Sequence, residues 1–315
     1  MNRGEITAIS AVLCALYLRG NGGTSCLSRR HWPRVLSTLR KDWAGLSCVS
    51  DVLRSGGFYD EADRCRDLDF LLQCLDIVEA GRALTVLDDS YPQSWLDTLG
   101  AGAPPVFWQV GSPVAPMPAW GVVGSRNLSD GQFRLAQRAG SAILSAGRVL
   151  VTGGAVGADS ASIYGAVDSG GDGRVAVILP YGVNLVRRHA GVTYWSVCPP
   201  SADFSTANAM ERNALIYAMS DRTLVVAARL QRGGSWAGAV DAMRRHLCGV
   251  TVADWGDDAA RALIGLGASP LVRPGFADSD AIVNALSMPS PVAQPELFGF
   301  ARVRETVLDY GLGTI

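Results

Sequence analysis

The amino-acid sequence predicts an α/β protein whose core is a doubly wound, mainly parallel β-sheet. Three observations lead to this fold class. From Trp120 onward, short apolar segments alternate with stretches of helical length and helical periodicity. The short segments are continuous apolar runs, which are typical of strands covered by helices on both faces. Several of these runs end in glycine-rich or serine-rich loops that lead into the next helix. This alternation is typical of a Rossmann-like domain.

The composition indicates a folded protein without a metal site. Hydrophobic residues make up 48% of the 315 residues and charged residues 18%, which is enough for a large core. The seven cysteines and three histidines show no metal-ligand or disulfide spacing, so we expect reduced thiols, a cytoplasmic protein and no cofactor. The apolar run from Ile6 to Leu18 is too short for a membrane span and predicts a core helix.

The formal net charge of −1 gives the chain no overall attraction to nucleic acid. A phosphate-binding surface would therefore have to be a local concentration of positive charge. Lys41 is the only lysine, so arginine would supply that charge. The abundance of arginine over lysine is better explained by a GC-rich genome than by selection for bidentate phosphate contacts.

The first predicted region, residues 1–76, is helical. Apolar residues recur at helical spacing near the start, at Ile6, Ile9, Val12, Leu13 and Leu16. A second helix opens at Trp32-Pro33, because proline is favoured in the first turn of a helix. Residues 46–58 and 62–75 are predicted to complete this region.

The second predicted region, residues 77–270, contains the Rossmann-like domain. Its first part is a short strand at 85–87, and the proline-rich stretch 101–118 is predicted to be irregular. The strands that follow are predicted at 120–123, 149–152, 175–179, 193–197, 223–227 and 250–253. The helices are predicted at 133–146, 160–168, 210–219, 236–246 and 258–266. Residues 271–315 are predicted to be a proline-rich extension with one short helix, 296–310.

Two of the predicted strand-end loops contain glycines that could hold a phosphate. The first is Gly124-Ser125-Arg126, where backbone amides and a guanidinium could bind one anion together. Its alternative is an ordinary turn in which Ser129 caps the next helix. The second loop has Gly153, Gly154 and Gly157, and could form a shallow anion-binding nest. Its neighbour Asp159 is more often a residue that caps amides or orients an arginine.

Two further segments carry arginine at a predicted helix start. Arg212 and Asn213 could grip a phosphate or a base edge, although Arg212 could also pair with Asp159 and lock the loops. The last loop combines Arg232 with Gly233, Gly234 and Ser235. Arg187 and Arg188 could extend a positive groove, or form a solvated surface patch. All these segments are expected at the carboxyl edge of one sheet, where parallel sheets bind ligands.

The predicted loops favour binding over catalysis. They contain no histidine, no Ser-His-Asp or Cys-His combination and no paired carboxylates. They also lack the G-x-G-x-x-G fingerprint of dinucleotide-binding domains and the Gly-Lys-Ser/Thr of a P-loop. A non-enzymatic role is therefore the favoured prediction, with no catalytic residue assigned.

The order of these segments resembles the DNA-processing protein A (DprA/Smf) family. The resemblance covers about residues 85–270 and rests on Gly-Ser-Arg after a strand, Thr-Gly-Gly-x-x-Gly-x-Asp, Arg-Asn and Gly-Gly-Ser. Tyr91-Pro92 and the segment 104–107 also fit it. The family belongs to a Rossmann-like group that includes nucleotide-sensing domains and cytokinin-activating phosphoribohydrolases. The resemblance implies a dimer that binds single-stranded DNA and helps load a recombinase.

The sequence departs from the family pattern at several loop positions. Ser162 and Ile163 stand where the family usually has Ala-His, and Ala227-Ala228 where it has an acidic residue. The Ser-Gly-Ser-x-x-Thr pattern is altered at 233–238. A Tyr-Pro pair expected shortly after Gly182 is missing. A changed ligand is therefore an open alternative.

Three functions remain on the sequence alone. The leading hypothesis is a single-stranded DNA-binding protein of DNA processing, uptake by natural transformation, or recombination. Trp195 and Trp236 are candidates for stacking on bases, and the alternative for both is a place in the core. The second is a sensor of a nucleotide or signal nucleotide in an anti-phage defence system, acting through a defence effector. The third is a phosphoribohydrolase, for which Asp241 is the nearest acidic residue but falls out of step.

Overall fold

A computed structural model describes residues 2–18, 31–171 and 173–289. The described chain divides into two compact units. The first contains the residues up to Gln109 together with Ser196–Ala202, and the second contains Val110–Trp195 and the described residues from Asp203 onward. No helix in the described ranges is long and apolar enough to cross a membrane.

The first unit is helical with one pair of short strands. Its helices are α1 (Arg3–Leu18), α2 (Trp32–Lys41), α3 (Val49–Ser55), α4 (Tyr59–Arg64), α5 (Leu68–Glu79) and α6 (Gln93–Leu99). Strand β1 (Ala83–Thr85) pairs antiparallel with β2 (Val106–Val110). The apolar face of α1 is buried as predicted, since Ile9, Leu13 and Leu16 are fully inaccessible. An aromatic cluster of Tyr91, Trp95 and Phe107 packs beside β2.

The second unit is a sheet covered by helices. Its strands are β3 (Ala119–Val123), β4 (Val149–Thr152), β5 (Val175–Leu179), β6 (Thr193–Ser196), β7 (Arg222–Val225), β8 (Gly249–Asp254) and β9 (Ser269–Val272). Its helices are α7 (Asp130–Ser145), α8 (Ala158–Asp168), α9 (Thr206–Met219), α10 (Gly233–Arg244), α11 (Asp258–Gly265) and α12 (Ser279–Ser287). The predicted α/β fold class, Rossmann-like with a mainly parallel sheet, is confirmed.

The strand order in this unit is β6-β5-β4-β3-β7-β8-β9. The pairs from β5 to β9 are parallel. After β3 the chain builds the sheet toward β5, and it later returns to place β7 on the other side of β3. The β3–β7 boundary is therefore the topological switch point, where open α/β sheets bind ligands at the carboxyl ends of their strands.

Helices α7 and α8 approach each other through glycines. A Cβ atom at Gly140 would overlap the carbonyl of Ser162, and one at Gly165 would overlap the carbonyl of Gln137. Only glycine allows this backbone separation. The close contact places the start of α8, and with it Asp159, directly against the loop that follows β3.

The structure corrects several predicted elements. The segment 101–118, predicted as irregular, contains β2, and the region from 271 contains α12, which the proline content concealed. Strand β1 lies at Ala83–Thr85, two residues before its predicted position. Strand β9 was not predicted, because Pro270 suggested a break, whereas proline is tolerated at the sheet edge. The predicted helix 296–310 lies outside the described residues.

Candidate nucleic-acid interface

The loops at the β3–β7 switch point form the candidate site. Ser125, in the loop after β3, donates its amide hydrogen to the carbonyl of Ala227 after β7, at 2.9 Å. The carbonyl of Ser125 accepts from the amide of Ala158 at the start of α8, at 3.2 Å. The first predicted loop is thus held between the two others by its own backbone. Its alternative reading also holds, because Ser129 caps α7 through the amide of Gln132.

Gly157 allows the loops after β3 and β4 to touch. Its φ of +102° is a conformation that favours glycine, and a Cβ atom there would overlap the carbonyls of Ser125 and Arg126. A Cβ at Gly124 would lie 2.6 Å from that of Ala158. Two of the predicted glycines therefore serve the contact between loops, whereas Gly154 is exposed with φ +70°.

Asp159 is buried in this group of loops, with 6% of its surface exposed. Its Oδ2 accepts from the amide of Ala155 at 3.2 Å, and the nearby amides of Gly153 and Gly124 also lower the pKa of its carboxyl group. The guanidinium of Arg212 lies beside it, and both groups occupy the space that a Cβ at Gly153 would need. Asp159 therefore faces the chain's own backbone and an arginine, as the alternative given for it in the sequence analysis expects.

Arg212 bonds to the chain's own carbonyl groups. Its Nη1 donates to the carbonyls of Gly153 and of Ile178, the latter at 2.8 Å, and 8% of its surface is exposed. The prediction that Arg212 and Asn213 open a helix is wrong, because α9 begins at Thr206 with Ser205 as its cap. Both residues lie in the body of the helix. Asn213 Nδ2 donates to the carbonyl of Gly234 at 3.4 Å. Arg212 therefore holds the loop after β4, and Asn213 holds the start of α10.

The loop between β7 and α10 presents two exposed arginines at the start of a helix. The amide of Arg232 donates to the carbonyl of Arg229 at 3.0 Å, which closes a turn. Arg232 is the N-cap of α10 and supplies no side-chain cap to its first amides. Gly233 and Gly234 are exposed, and Ser235 is half-buried. A Cβ at Gly233 would lie 3.8 Å from Nη2 of Arg229.

Sequence reasoning missed Arg229. It stands between the apolar strand and the Gly-Gly-Ser segment, and its place four residues before Gly233 was the available signal. Together with Arg126 after β3, Arg229 and Arg232 surround the switch point. In the described part of the chain these three arginines form no ion pair with an acidic side chain.

Arg187 and Arg188 follow β5 and are exposed. Arg188 lines a cavity of about 270 Å³ with His189, Tyr194 and the backbone of Gly111 and Ser112. Tyr194 is buried, and its hydroxyl accepts from the amide of His189 at 3.2 Å. This cavity lies beside the start of β6, where Thr193 Oγ1 donates to the carbonyl of Ser112.

The two tryptophans proposed for base stacking differ in access. Trp195 lies on β6 with 3% of its surface exposed, so the prediction that it could stack on a base is wrong. The apolar side chain of Trp195 is buried in the core of the sheet instead. Trp236, in the first turn of α10, is half-buried. It is the stacking candidate that remains.

The comparison with family models identifies the family of this chain. Residues 82–271 match the family model described as DNA recombination-mediator protein A. That match spans more than half of the chain. The chain belongs to the DNA recombination-mediator protein A family. No curated protein matches it at a significant level.

Solved structures of DNA processing protein A share the fold. The protein from Streptococcus pneumoniae is 19% identical, with 90% of this chain and 98% of that chain covered and a TM-score of 0.62. The protein from Helicobacter pylori is 16% identical, with 65% and 97% covered and a TM-score of 0.54. The latter structure concerns that protein's single-stranded DNA binding mode.

One departure from the family pattern now has a structural context. Ser162, which stands at the first position of the family's Ala-His pair, is fully buried in α8. Its Oγ donates to the carbonyl of Asp159 at 2.8 Å. This position thus supports the helix start from within rather than facing the open edge of the sheet.

Asp241 is held by two arginines, one of its own helix and one in the residue that follows it. Asp241, the residue nearest to a phosphoribohydrolase acid, accepts from Arg244 at 2.7 Å and Arg245 at 2.9 Å. Hydrogen bonds from these two arginines lower the pKa of its carboxyl group although partial burial opposes them. In the described ranges no group of three metal-ligating side chains comes together.

The pKa of Asp159 provides a test of its burial. Desolvation raises this pKa from 3.8 to about 6, and the positive charge of Arg212 and the three amides oppose the shift. The hydroxyl of buried Tyr217 is the other titratable group that faces it. A raised folded-state pKa means that the wild type loses stability as the pH rises through the interval between the two values.

We therefore expect Asp159→Asn to gain stability relative to the wild type as the pH rises. Between about pH 5 and pH 7 the difference in the free energy of unfolding should change by about 1 kcal/mol in favour of the variant. Urea unfolding of both proteins across this range measures it. A difference that stays constant, or changes in favour of the wild type, would contradict the burial of a charged carboxylate.

Proposed function

We propose that this protein binds single-stranded DNA along the carboxyl edge of its sheet, as a member of a DNA-processing family. The observation that carries this proposal is the group of exposed arginines at the switch point. Arg126, Arg229 and Arg232 lie at the ends of the neighbouring strands β3 and β7. Their positive charge is concentrated at this edge although the whole chain has a net charge of −1. Such a local patch attracts a polyanion.

The proposed contacts combine charge with backbone donors. The uncapped first amides of α10, at Gly233, Gly234 and Ser235, face solvent beside Arg229. Amides at a helix N-terminus favour phosphate. Trp236 supplies an aromatic face on which a base can stack. Arg187 and Arg188, exposed in the segment after β5, are proposed to add positive charge to this surface.

The biological role follows from the family. The related protein from Helicobacter pylori has a characterised single-stranded DNA binding mode, which supports the same class of ligand here. The proposal includes action in the cytoplasm, in DNA uptake or recombination, as a homodimer that meets a recombinase. Exposed apolar side chains support contact with a protein partner at the outer strand β9. They are Leu266 and Val272.

A salt titration tests the DNA-binding proposal. Fluorescence anisotropy of a labelled dT oligomer should show binding at low salt that weakens steeply as NaCl increases. Replacing Arg126, Arg229 or Arg232 by alanine should reduce the slope of log K against log salt by roughly 0.7 for each phosphate that the variant no longer neutralises. Affinity at about 0.1 M salt should fall roughly tenfold for each variant, since charge-assisted hydrogen bonds contribute about 1.5 kcal/mol.

The matched control is Arg244→Ala. Arg244 is an exposed arginine in the last turn of α10, at the opposite end of the helix from Arg232. It changes the net charge by the same amount but should leave both affinity and salt dependence close to the wild type. Absence of dT binding at low salt would contradict the proposal. Equal losses in Arg126→Ala and Arg244→Ala would place the DNA elsewhere.

A further inference from the structure

The glycine loops after β3 and β4 contain an anion already. The amide of Ala155 donates to the carboxylate of Asp159 at 3.2 Å, and the amides of Gly153 and Gly124 lie close enough to lower the pKa of that carboxyl group. Converging backbone amides next to a guanidinium are what proteins commonly offer to a phosphate group. Here the chain's own side chain fills that position.

The space around the Asp159 carboxylate is also closed on its interior side. Arg212, the cation that faces Asp159, is buried and has its Nη1 bonded to the carbonyls of Gly153 and Ile178. Gly153 has no room for even a Cβ atom between the guanidinium and the carboxylate. A phosphate could reach these amides only by displacing Asp159, and its charge would meet the charge of the carboxylate.

We infer that Asp159 is a specificity-determining residue, whose carboxylate occupies the amide nest of Gly124, Gly153 and Ala155 and thereby excludes a terminal phosphate. A mononucleotide depends on burying its terminal phosphate in one such nest. A strand of DNA can instead lay several backbone phosphates across the outer arginines. This edge therefore selects internal phosphodiesters of a polynucleotide. The inference rests on the proposed function, because the outer arginines are assigned there.

Removing the carboxylate should open the nest. In Asp159→Ala, three amides and the guanidinium of Arg212 lose their anion. We expect inorganic phosphate to raise the Tm of this variant by about 2–4 °C. The wild type should respond to phosphate no more than to NaCl of equal ionic strength. The double variant Asp159→Ala/Arg212→Ala should lose the response.

Asp257→Ala is the matched control for this experiment. Asp257 caps α11 by accepting from the amide of Ala260 at 2.8 Å, so its removal also exposes a helix amide and removes one negative charge. Arg261 donates to the carbonyl of Gly256 and pairs with Asp258 beside that cap, but it is exposed, so the variant offers phosphate no buried guanidinium. Its Tm should not respond to phosphate. A response equal to that of Asp159→Ala, or a wild-type response of that size, would overturn the inference.

Amide NMR of the wild type decides the question without any variant. Inorganic phosphate should leave the signals of Gly124, Gly153 and Ala155 unmoved, and a dT oligomer should shift those of Gly234 and Ser235. Phosphate-induced shifts at the three nest amides would overturn the inference. Failure of the dT oligomer to bind would instead overturn the proposed function, since the phosphate comparison does not involve DNA.

Discussion

Arg212→Ala is expected to lower the free energy of unfolding by about 3–5 kcal/mol, the range typical of leaving a buried charge without a neighbouring opposite charge. The substitution leaves the carboxylate of Asp159 buried without its cation and the carbonyls of Gly153 and Ile178 without their donor. Urea or thermal unfolding of the variant measures the loss. We also expect a weaker affinity for the dT oligomer, because the loop after β4, which Arg212 holds, packs against the loop after β3 that carries Arg126.

A double substitution separates the effect of the charges of Arg212 and Asp159 on stability from the effect of lost packing. Arg212→Ala/Asp159→Asn removes both charges, so it should recover at least about 1 kcal/mol of the stability lost in Arg212→Ala. Asn213→Ala, on the same helix, removes one hydrogen bond of 3.4 Å and should cost about 1 kcal/mol or less. If the two single variants at Arg212 and Asn213 were equally stable, Arg212 would not be the residue that locks the loops.

Gly157→Ala is expected to destabilise the protein by about 3 kcal/mol and to reduce DNA affinity together with stability. The alanine would have to adopt a φ of +102°, and its methyl group would collide with the backbone of Ser125 and Arg126. Relief of this collision moves the loop after β3 away from α8, and Arg126 moves with it. Unfolding and dT binding should be measured on the same samples.

Gly170→Ala provides the comparison. Gly170 has a φ of +81°, but a Cβ atom there would have no neighbour within 4 Å. This substitution should therefore show only the backbone strain, about 1 kcal/mol, and should bind the dT oligomer like the wild type. Equal destabilisation by the two variants would mean that the contact between the loops contributes nothing to the role of Gly157.

The sequence predicted the two central strands β4 and β5 with their observed bounds, because both are uninterrupted apolar runs that end in glycine or proline. It predicted β2 and α12 poorly, because prolines on either side of them indicated irregular structure. It also placed the start of α9 four residues too late. The cap at Ser205 was the signal, and the polar first turn that follows it hid the helix.

By itself, the sequence determined the α/β class and the set of loops that carry glycine and arginine, since both follow from patterns between near neighbours in the chain. Only the tertiary structure decided how those loops are used. It placed the loop after β7 beside the loop after β3, which brought Arg229 and Arg232 to the same edge as Arg126. It also turned Asp159 and Arg212 inward onto the backbone. Strand order and burial depend on contacts between residues that are far apart in sequence, so a local sequence pattern does not predict them.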